Sequence, residues 1–570
     1  MPLCAQYYLR GEVKDEKGKM LSNVKIYLHS KGTLPFSSGN SGSFGIPTNL
    51  PIDTITLIKE GYEKLRLAVN SKQPQTFVMK LSQTNSSLQK SKLSSVTKNL
   101  FRDKQFKFFT GDESYTTTID NDFVPAAQYP ETGFSLTVDR AAYSNIRRFI
   151  NLGYQVPPDA VRIEEMLNYF ALNDAPAHQT HAFTPATQVT TCPWNANSKL
   201  LLLTLEAPKI DVSAVPPSNL VFLVDVSGSM DKPNRLPLVQ SALKLMVRNL
   251  RIQDTVSIVV YGGTIGVFMQ PTSGDQKDKI IEAIDKLQAG GDTPGEGAIR
   301  MAYQLARSTF IPNGNNRVIL ATDGDFNVGQ TSEKELEELI VSQRGFGIYL
   351  TCLGVGMGNY KDSKLETLAK KGNGNFAYLD HLKEAEKVLV TEFTKTLYAV
   401  ANDAYLTVNF NPEFISNYRL IGFGNKEEAA TDSTSELEGG EVGTGHIITA
   451  VFEITPTTNF NDKNNSIIAD WQLQYKLPNS KKVQTLQFKS TNNTLALAQA
   501  PPPLQIATTL VMFGEMLKQS KFVRDVITWE QLINFAQQSI DNGDALQAEL
   551  LQLIQKAAKI YSDKKRIKSR

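Results

Sequence analysis

The sequence is short of cysteine and histidine, lacks any long apolar run and carries almost no excess of charge. Its three cysteines, Cys4, Cys192 and Cys352, show no paired spacing, which argues against both a disulfide framework and a cysteine zinc site. Cys352 lies in an apolar run, residues 347–353, where a small buried thiol is the expected role. Of the five histidines, His29, His178, His181, His381 and His446, only His178 and His181 are close together. They sit in a Pro- and Ala-rich stretch that reads as surface loop and lacks the partners of a metal-binding helix. His446 follows a glycine-rich turn and is expected to make a structural hydrogen bond. No stretch reaches the ~18–20 apolar residues needed to span a bilayer, so a pore formed by this chain alone is not expected. Lys and Arg number 60 against 58 Asp and Glu, leaving a net charge of +2 and no general attraction to nucleic acid or anionic lipid. The basic run 564–570 reads as a solvated tail. A nucleophile elbow, a P-loop and a dinucleotide fingerprint are all missing, and Gly354, Gly356 and Gly358 lack the spacing of the last. Glu164 and Glu165 are neighbours that face different ways on a helix, a poor catalytic pair. An enzyme is therefore not expected.

What is present is organised in blocks. A chain of 570 residues is too long for one core, and a prior of ~150 residues per domain suggests three or four domains. Residues 1–8 read like the end of a signal peptide, with Ala5-Gln6 as a cleavage junction; export to the periplasm or cell surface is expected, a cytoplasmic start being the alternative. Residues 9–81 alternate in strand fashion between turn signals. Residues 82–105 are rich in Ser and Lys and read as a linker. In residues 106–218 helical spacing marks 141–150 and 160–170, and 199–206 reads as a strand. Residues 219–398 alternate strand and helix, with strands at 219–226, 255–261, 317–322, 347–354 and 375–379. That order predicts a doubly wound parallel sheet covered by helices on both faces. Residues 399–500 return to strands, and residues 501–570 read as helices. The strand content of 106–218 and 399–489 suggests that these flanks pair into one β-rich body, with the α/β domain inserted between them.

The first of the inner strands runs into Asp225-Val226-Ser227-Gly228-Ser229. Alternate residues of an extended loop point the same way, so the Asp225 carboxylate and the Ser227 and Ser229 hydroxyls can converge. In a doubly wound sheet such a strand end is where ligands bind. Gly290-Gly291-Asp292-Thr293-Pro294 adds the Thr293 hydroxyl ahead of a helix, and Thr322-Asp323-Gly324 adds Asp323 at the end of another strand. Hard oxygen donors with few carboxylates suit Mg²⁺, or else Ca²⁺. Asp292 is expected to face solvent, Asp325 to play a structural part, and Asp231 to sit at a helix N-terminus.

These three motifs in this order resemble the von Willebrand factor type A family with its metal-ion-dependent adhesion site. The resemblance implies a Rossmann-like fold in which Ser227, Ser229 and Thr293 coordinate the ion, while Asp225 and Asp323 hold it directly or through water. Flanking segments resemble a narrower group, bacterial proteins of this type labelled calcium-activated chloride-channel homologues. They include residues 139–149, 157–170 and 192–195 before the domain, and 411–412, 418–422 and 440–446 after it. Thr137 stands where that group carries an acidic residue. The pattern Gly11, Val13, Gly18, Asn23-Val24, Ser41-Gly42-Ser43-Phe44 and Gly61-Tyr62 resembles the carboxypeptidase regulatory-like domain, a transthyretin-like β-sandwich. The function these resemblances imply is metal-dependent binding of a protein that offers an acidic side chain, in the cell envelope. A metal-independent scaffold is the alternative, and a hydrolase that uses the ion to activate water comes third.

Overall fold

The computed structural model describes residues 7–80 and 113–562, apart from residues 17, 33–34, 40, 60–61, 137–138, 173–182, 210–214, 264, 292–294, 325–332, 359, 393–397, 427–439, 462–464, 479 and 481. Cys4, Thr137, His178, His181, Asp292, Thr293, Asp325, the linker 82–105 and the basic tail lie outside the described residues. The chain divides into two compact units, Met1–Lys90 and Ser91–Arg570.

In the first unit seven strands are described: β1 (Tyr7–Asp15), β2 (Lys25–Leu28), β3 (Phe36–Ser37), β4 (Ser43–Thr48), β5 (Ile52–Ile58), β6 (Leu65–Asn70) and β7 (Gln75–Met79). They form two sheets, in the orders β4-β1-β7 and β3-β2-β5-β6. Period-2 alternation places Leu9, Val13, Ile26, Leu28, Ile55, Leu57 and Phe77 in one shared apolar core.

The second unit begins with β8 (Thr118–Ile119), β9 (Val124–Pro125), β10 (Glu131–Ser135), the helices α1 (Ala141–Asn151) and α2 (Ile163–Tyr169), and the strands β11 (Thr184–Thr191) and β12 (Lys199–Glu206). The helix expected over 160–170 starts late. Val161 and Arg162 are extended after a single tight turn at 158–160, so only residues 163–169 are helical.

The inner domain follows. Its elements are β13 (Ser218–Asp225), α3 (Leu236–Arg248), β14 (Thr255–Tyr261), β15 (Gly266–Ser273), α4 (Lys277–Asp285), α5 (Gly295–Ser308), β16 (Asn315–Thr322), α6 (Glu333–Gly345), β17 (Ile348–Gly354), α7 (Asp362–Lys371), β18 (Phe376–Tyr378) and α8 (Leu382–Glu386). The sheet order is β15-β14-β13-β16-β17-β18. Every neighbour pair is parallel except β14 with β15, which correct the all-parallel expectation with an antiparallel edge. β13 is apolar without a break from Leu220 to Val224 because both of its faces are covered. Leu220, Phe222 and Val224 join the core built with α3, whereas Val221 and Leu223 join the core built with α5.

The chain then returns to the body through β19 (Ala399–Phe410), β20 (Ile415–Ile421), β21 (Asn425–Lys426), β22 (Gly440–Gly443), β23 (Ile447–Pro456), β24 (Ile467–Lys476), β25 (Val483–Thr491) and β26 (Thr494–Leu495). It finishes in the helices α9 (Pro502–Leu517), α10 (Trp529–Ser539) and α11 (Ala545–Ser562). The two flanks do pair. One sheet runs β26-β11-β12-β23-β20-β9, and another runs β10-β19-β24-β25. β12 shows why its sequence reads Leu200 to Leu203 without a break. Leu201, Leu203 and Leu205 face the second sheet with Phe452 and Trp471, while Leu200 and Leu202 face α2 and α9. Among the described residues no helix is long and apolar enough to cross a membrane.

Buried ion pairs tie the body to the inner domain. Arg147 of α1 holds Asp380 at 2.6 Å, Glu384 at 2.7 Å and Glu549 of α11 at 2.9 Å. Arg162 holds Asp362 at 2.7 Å and also pairs with Glu165. Glu165, considered above as half of a carboxylate pair, thus serves structure, and it also accepts the Ala142 N–H. Where the chain enters and leaves the inner domain, the Ser218 and Tyr398 hydroxyls lie 3.0 Å apart.

At another such contact Glu441 of β22 faces Arg317 of β16 across 3.8 Å. Burial pushes the Glu441 carboxyl up to about 7, the Arg317 charge pulling the other way. The folded state therefore holds a proton that the unfolded state releases from the ordinary 4.5 upward. This contribution to stability is full below that value, falls as pH rises through the window up to about 7, and is flat above it. Relative to wild type, Glu441→Gln is expected to gain roughly 3 kcal/mol between pH 4 and pH 8. Denaturant melts of both proteins at the two pH values check this; parallel changes would count against it.

Candidate metal centre

The centre is built at the carboxyl end of the inner sheet, where β13 has β14 on one side and β16 on the other. Asp225 is the last residue of β13 and Asp323 follows β16; both are fully buried. After Asp225 the chain turns through Ser227 and a short tight helix, residues 228–230, which brings the Ser227 and Ser229 hydroxyls within 3.1 Å of each other. Ser227 N–H donates to Asp225 Oδ1 at 2.9 Å, and the Thr322 hydroxyl donates to Asp225 Oδ2 at 2.8 Å. The Tyr261 hydroxyl, at the end of β14, donates to the same Oδ2 at 3.1 Å. Asp225 is thereby locked in one orientation by three neighbours.

The backbone around it is packed tightly. Val226 N–H donates to the Tyr261 carbonyl at 2.8 Å, Gly228 N–H to the Gly291 carbonyl at 3.0 Å, and Gly290 N–H to the Val226 carbonyl at 2.7 Å. Gly262, with φ of +144°, passes so close that a Cβ there would stand 2.5 Å from Ser227 N. The segment after β13 is thus clasped between the end of β14 and the Gly290-Gly291 turn, which precedes Thr293.

Two buried carboxylates meet here. Burial pushes the Asp225 carboxyl above its usual value; hydrogen bonds from Ser227 and Thr322 oppose the rise, and the nearby Asp323 charge adds to it. Asp323 in turn pairs with the guanidinium of Arg235, which is 3% exposed. Arg235 also donates to the Ser229 carbonyl and to the Met357 carbonyl, each at 2.8 Å.

Of the five expected ligands, the structure brings together Asp225, Ser227, Ser229 and Asp323, while Thr293 lies outside the described residues. Asp231 is not at a helix start. It is exposed, and a turn containing Pro233 delays α3 to Leu236. Sequence reasoning passed over Tyr261, Thr322 and Arg235. The first two close strands of the sheet, which is a usable signal, whereas Arg235 reads only as the polar first residue of the helical run 235–250. Cys352 is buried, as its apolar run predicts, and Cys192 is buried as well.

Three family models match the chain. The model "von Willebrand factor" covers residues 109–202, "von Willebrand factor type A domain" covers 219–391, and "Uncharacterized protein YfbK, C-terminal" covers 395–560. The Escherichia coli K12 protein YfbK is 35% identical over 471 residues, which cover 78% of this chain and 81% of that one. Human inter-alpha-trypsin inhibitor heavy chain H4 is 26% identical over 279 residues, covering 46% of this chain and 28% of its own length. Among solved structures, a von Willebrand factor type A protein from Catenulispora acidiphila aligns with a TM-score of 0.37 at 16% identity, over 60% of this chain and 82% of that one.

Proposed function

The chain belongs to the family of von Willebrand factor type A proteins that includes YfbK, and from that premise we propose that it is a divalent-metal-dependent protein-binding module of the bacterial cell envelope, serving adhesion or assembly. One observation carries the reading: Asp225, Ser227, Ser229 and Asp323 converge at the carboxyl ends of the neighbouring strands β13 and β16. The donor set fits the ion. It consists of hard oxygens only, and burial together with the nearby Asp323 charge raises the cost of ionising Asp225, which a cation beside it relieves. Ser227, Ser229 and Thr293 would hold Mg²⁺ or Ca²⁺ through their hydroxyls, with Asp225 and Asp323 close by or in direct contact. A bound ion held largely by neutral oxygens supplies an electrophilic position for a carboxylate of the partner protein. The chain's own part is to fix those oxygens through Tyr261, Thr322 and the clasped backbone. The first unit, as a carboxypeptidase regulatory-like sandwich, would serve as a spacer that presents the binding domain.

A second reading has its own support. Asp323 already has a cation in Arg235, so the site could be a metal-independent strut in a scaffold. Calorimetric titration with Mg²⁺ and then Ca²⁺, of wild type and of Asp225→Ala, separates the two. The expected result is saturable binding in wild type and at least about hundredfold weaker binding in the variant. Equal behaviour of the two proteins would favour the scaffold.

A further inference from the structure

The loop between β17 and α7, residues 355–361, is held from two sides. On one side it meets the metal centre. Val355 N–H donates to the Thr322 carbonyl at 3.0 Å, and the Met357 carbonyl accepts from Arg235 at 2.8 Å. Gly324, next after Asp323, has a φ of +90°, and a Cβ there would collide with Lys361 N, so this turn lies directly on the end of the loop. On the other side the loop meets the segment of the body that precedes β8. Gly358 N–H donates to Glu113 Oε1 at 2.7 Å, and the Gly356 carbonyl accepts from Arg148 of α1 at 3.3 Å. Arg148 also donates to both Glu113 oxygens at 2.8 Å, and the Tyr115 hydroxyl donates to Glu113 Oε2 at 2.7 Å. Ser114 N–H donates to the Tyr360 carbonyl at 3.1 Å, and Ser363 N–H donates to the Ser114 carbonyl at 3.4 Å, in the manner of a strand pair. The Glu113 side chain is 3% exposed, and charge-assisted hydrogen bonds of this kind are the strong ones.

Resting on the metal-dependent reading above, we propose that residues 113–115 of the body form a built-in clamp on this loop, and that Glu113 is a positioning residue of the metal centre. The clamped loop holds the Thr322 backbone, Arg235 and the Gly324 turn in place. Thr322 in turn donates to Asp225, and Arg235 pairs with Asp323. Glu113 thus acts through the loop. Such coupling is reciprocal: ion binding tightens the body on the inner domain by the factor that the clamp contributes to ion binding. A contact that only adds stability has no such effect.

The full chain is compared as wild type, Glu113→Ala, Glu113→Gln and Glu441→Gln, each shown to be folded by circular dichroism. Glutamine at 113 keeps an oxygen for the Gly358 N–H, whereas alanine does not. Glu441 faces Arg317 at the end of β16 away from the centre, and so supplies a body contact that is not on the loop. By calorimetry Mg²⁺ is expected to bind Glu113→Ala about tenfold more weakly than wild type, and both glutamine variants within about threefold of it. Hydrogen exchange of wild type, read by mass spectrometry, needs no variant and decides the matter if Glu113→Ala fails to fold. Mg²⁺ is expected to slow exchange at Ser114 and Gly358 about tenfold more than at Gly274, whose N–H donates to the Asp254 carbonyl at the far end of the sheet. An unchanged Mg²⁺ affinity in Glu113→Ala, an equal weakening in Glu441→Gln, or uniform slowing of exchange overturns the proposal while leaving wild-type metal binding intact. Absence of Mg²⁺ binding in wild type overturns the metal-dependent reading itself, and this inference with it.

Discussion

Gly262→Ala is expected to abolish Mg²⁺ binding and to destabilise the protein by on the order of 3–5 kcal/mol. Two costs combine at this position. A φ of +144° is open to glycine and strained for any side chain. The new methyl would also press on Val226 and Ser227, backbone that cannot rotate away as a flexible side chain can. Relief requires the end of β14 to part from the segment after β13. That movement breaks the hydrogen bond from Val226 N–H to the Tyr261 carbonyl and carries Tyr261 away from Asp225. Gly266→Ala is the matched control, since a Cβ there meets nothing within 4 Å and the expected change is within about 0.5 kcal/mol. Urea melts and a Mg²⁺ titration of the two variants check both halves. A Gly262→Ala protein that keeps its ion affinity would show that the clasp does not shape the site.

Arg147→Met is expected to cost about 3–5 kcal/mol, enough to threaten folding at physiological temperature. The methionine fills much of the arginine's volume, so the loss is electrical. Asp380 and Glu384, 8% and 3% exposed, are left without the cation that both share. Burial already raises the Glu384 carboxyl above its usual value, with Arg147 and Lys387 opposing the rise. Without Arg147 it rises further, and the folded state then binds a proton more tightly than the unfolded state does. The variant's stability should therefore fall as pH rises above the ordinary carboxylate range, more steeply than that of wild type. Thermal melts across that range test the slope; a pH-independent deficit would assign the loss to packing instead.

Legibility in the sequence followed physical cause closely. β13 could be read because a strand covered on both faces must be apolar throughout, and its polar end then marked the centre. The three oxygen-bearing motifs could be read because each ends a strand or precedes a helix. β15 escaped notice because it is an edge strand whose sequence, Phe268-Met269-Gln270-Pro271, alternates weakly and includes a proline. The helix over 160–170 was drawn too long because Val161 fits an apolar stripe, although Arg162 leaves helical geometry to reach Asp362. Arg235 was invisible for a related reason. The carboxylate it serves is 88 residues away, and no local pattern records so distant a partner.

The contact between Ser218 and Tyr398 bears on the order in which the molecule is made. β10 and β12 leave the ribosome well before the inner domain, yet their partners β19 and β23 come only after it. Until then β10 lacks β19, and β12, paired on one side with β11, has its other edge exposed. Once the inner domain folds, its two ends are held side by side, and a closure across some 180 residues becomes one across a short gap. By loop-closure entropy that spares roughly 2–3 kcal/mol. The inserted domain thus serves its host as an assembly jig, and variants that slow its folding should expose the early strands to aggregation during synthesis, even where the finished protein is stable.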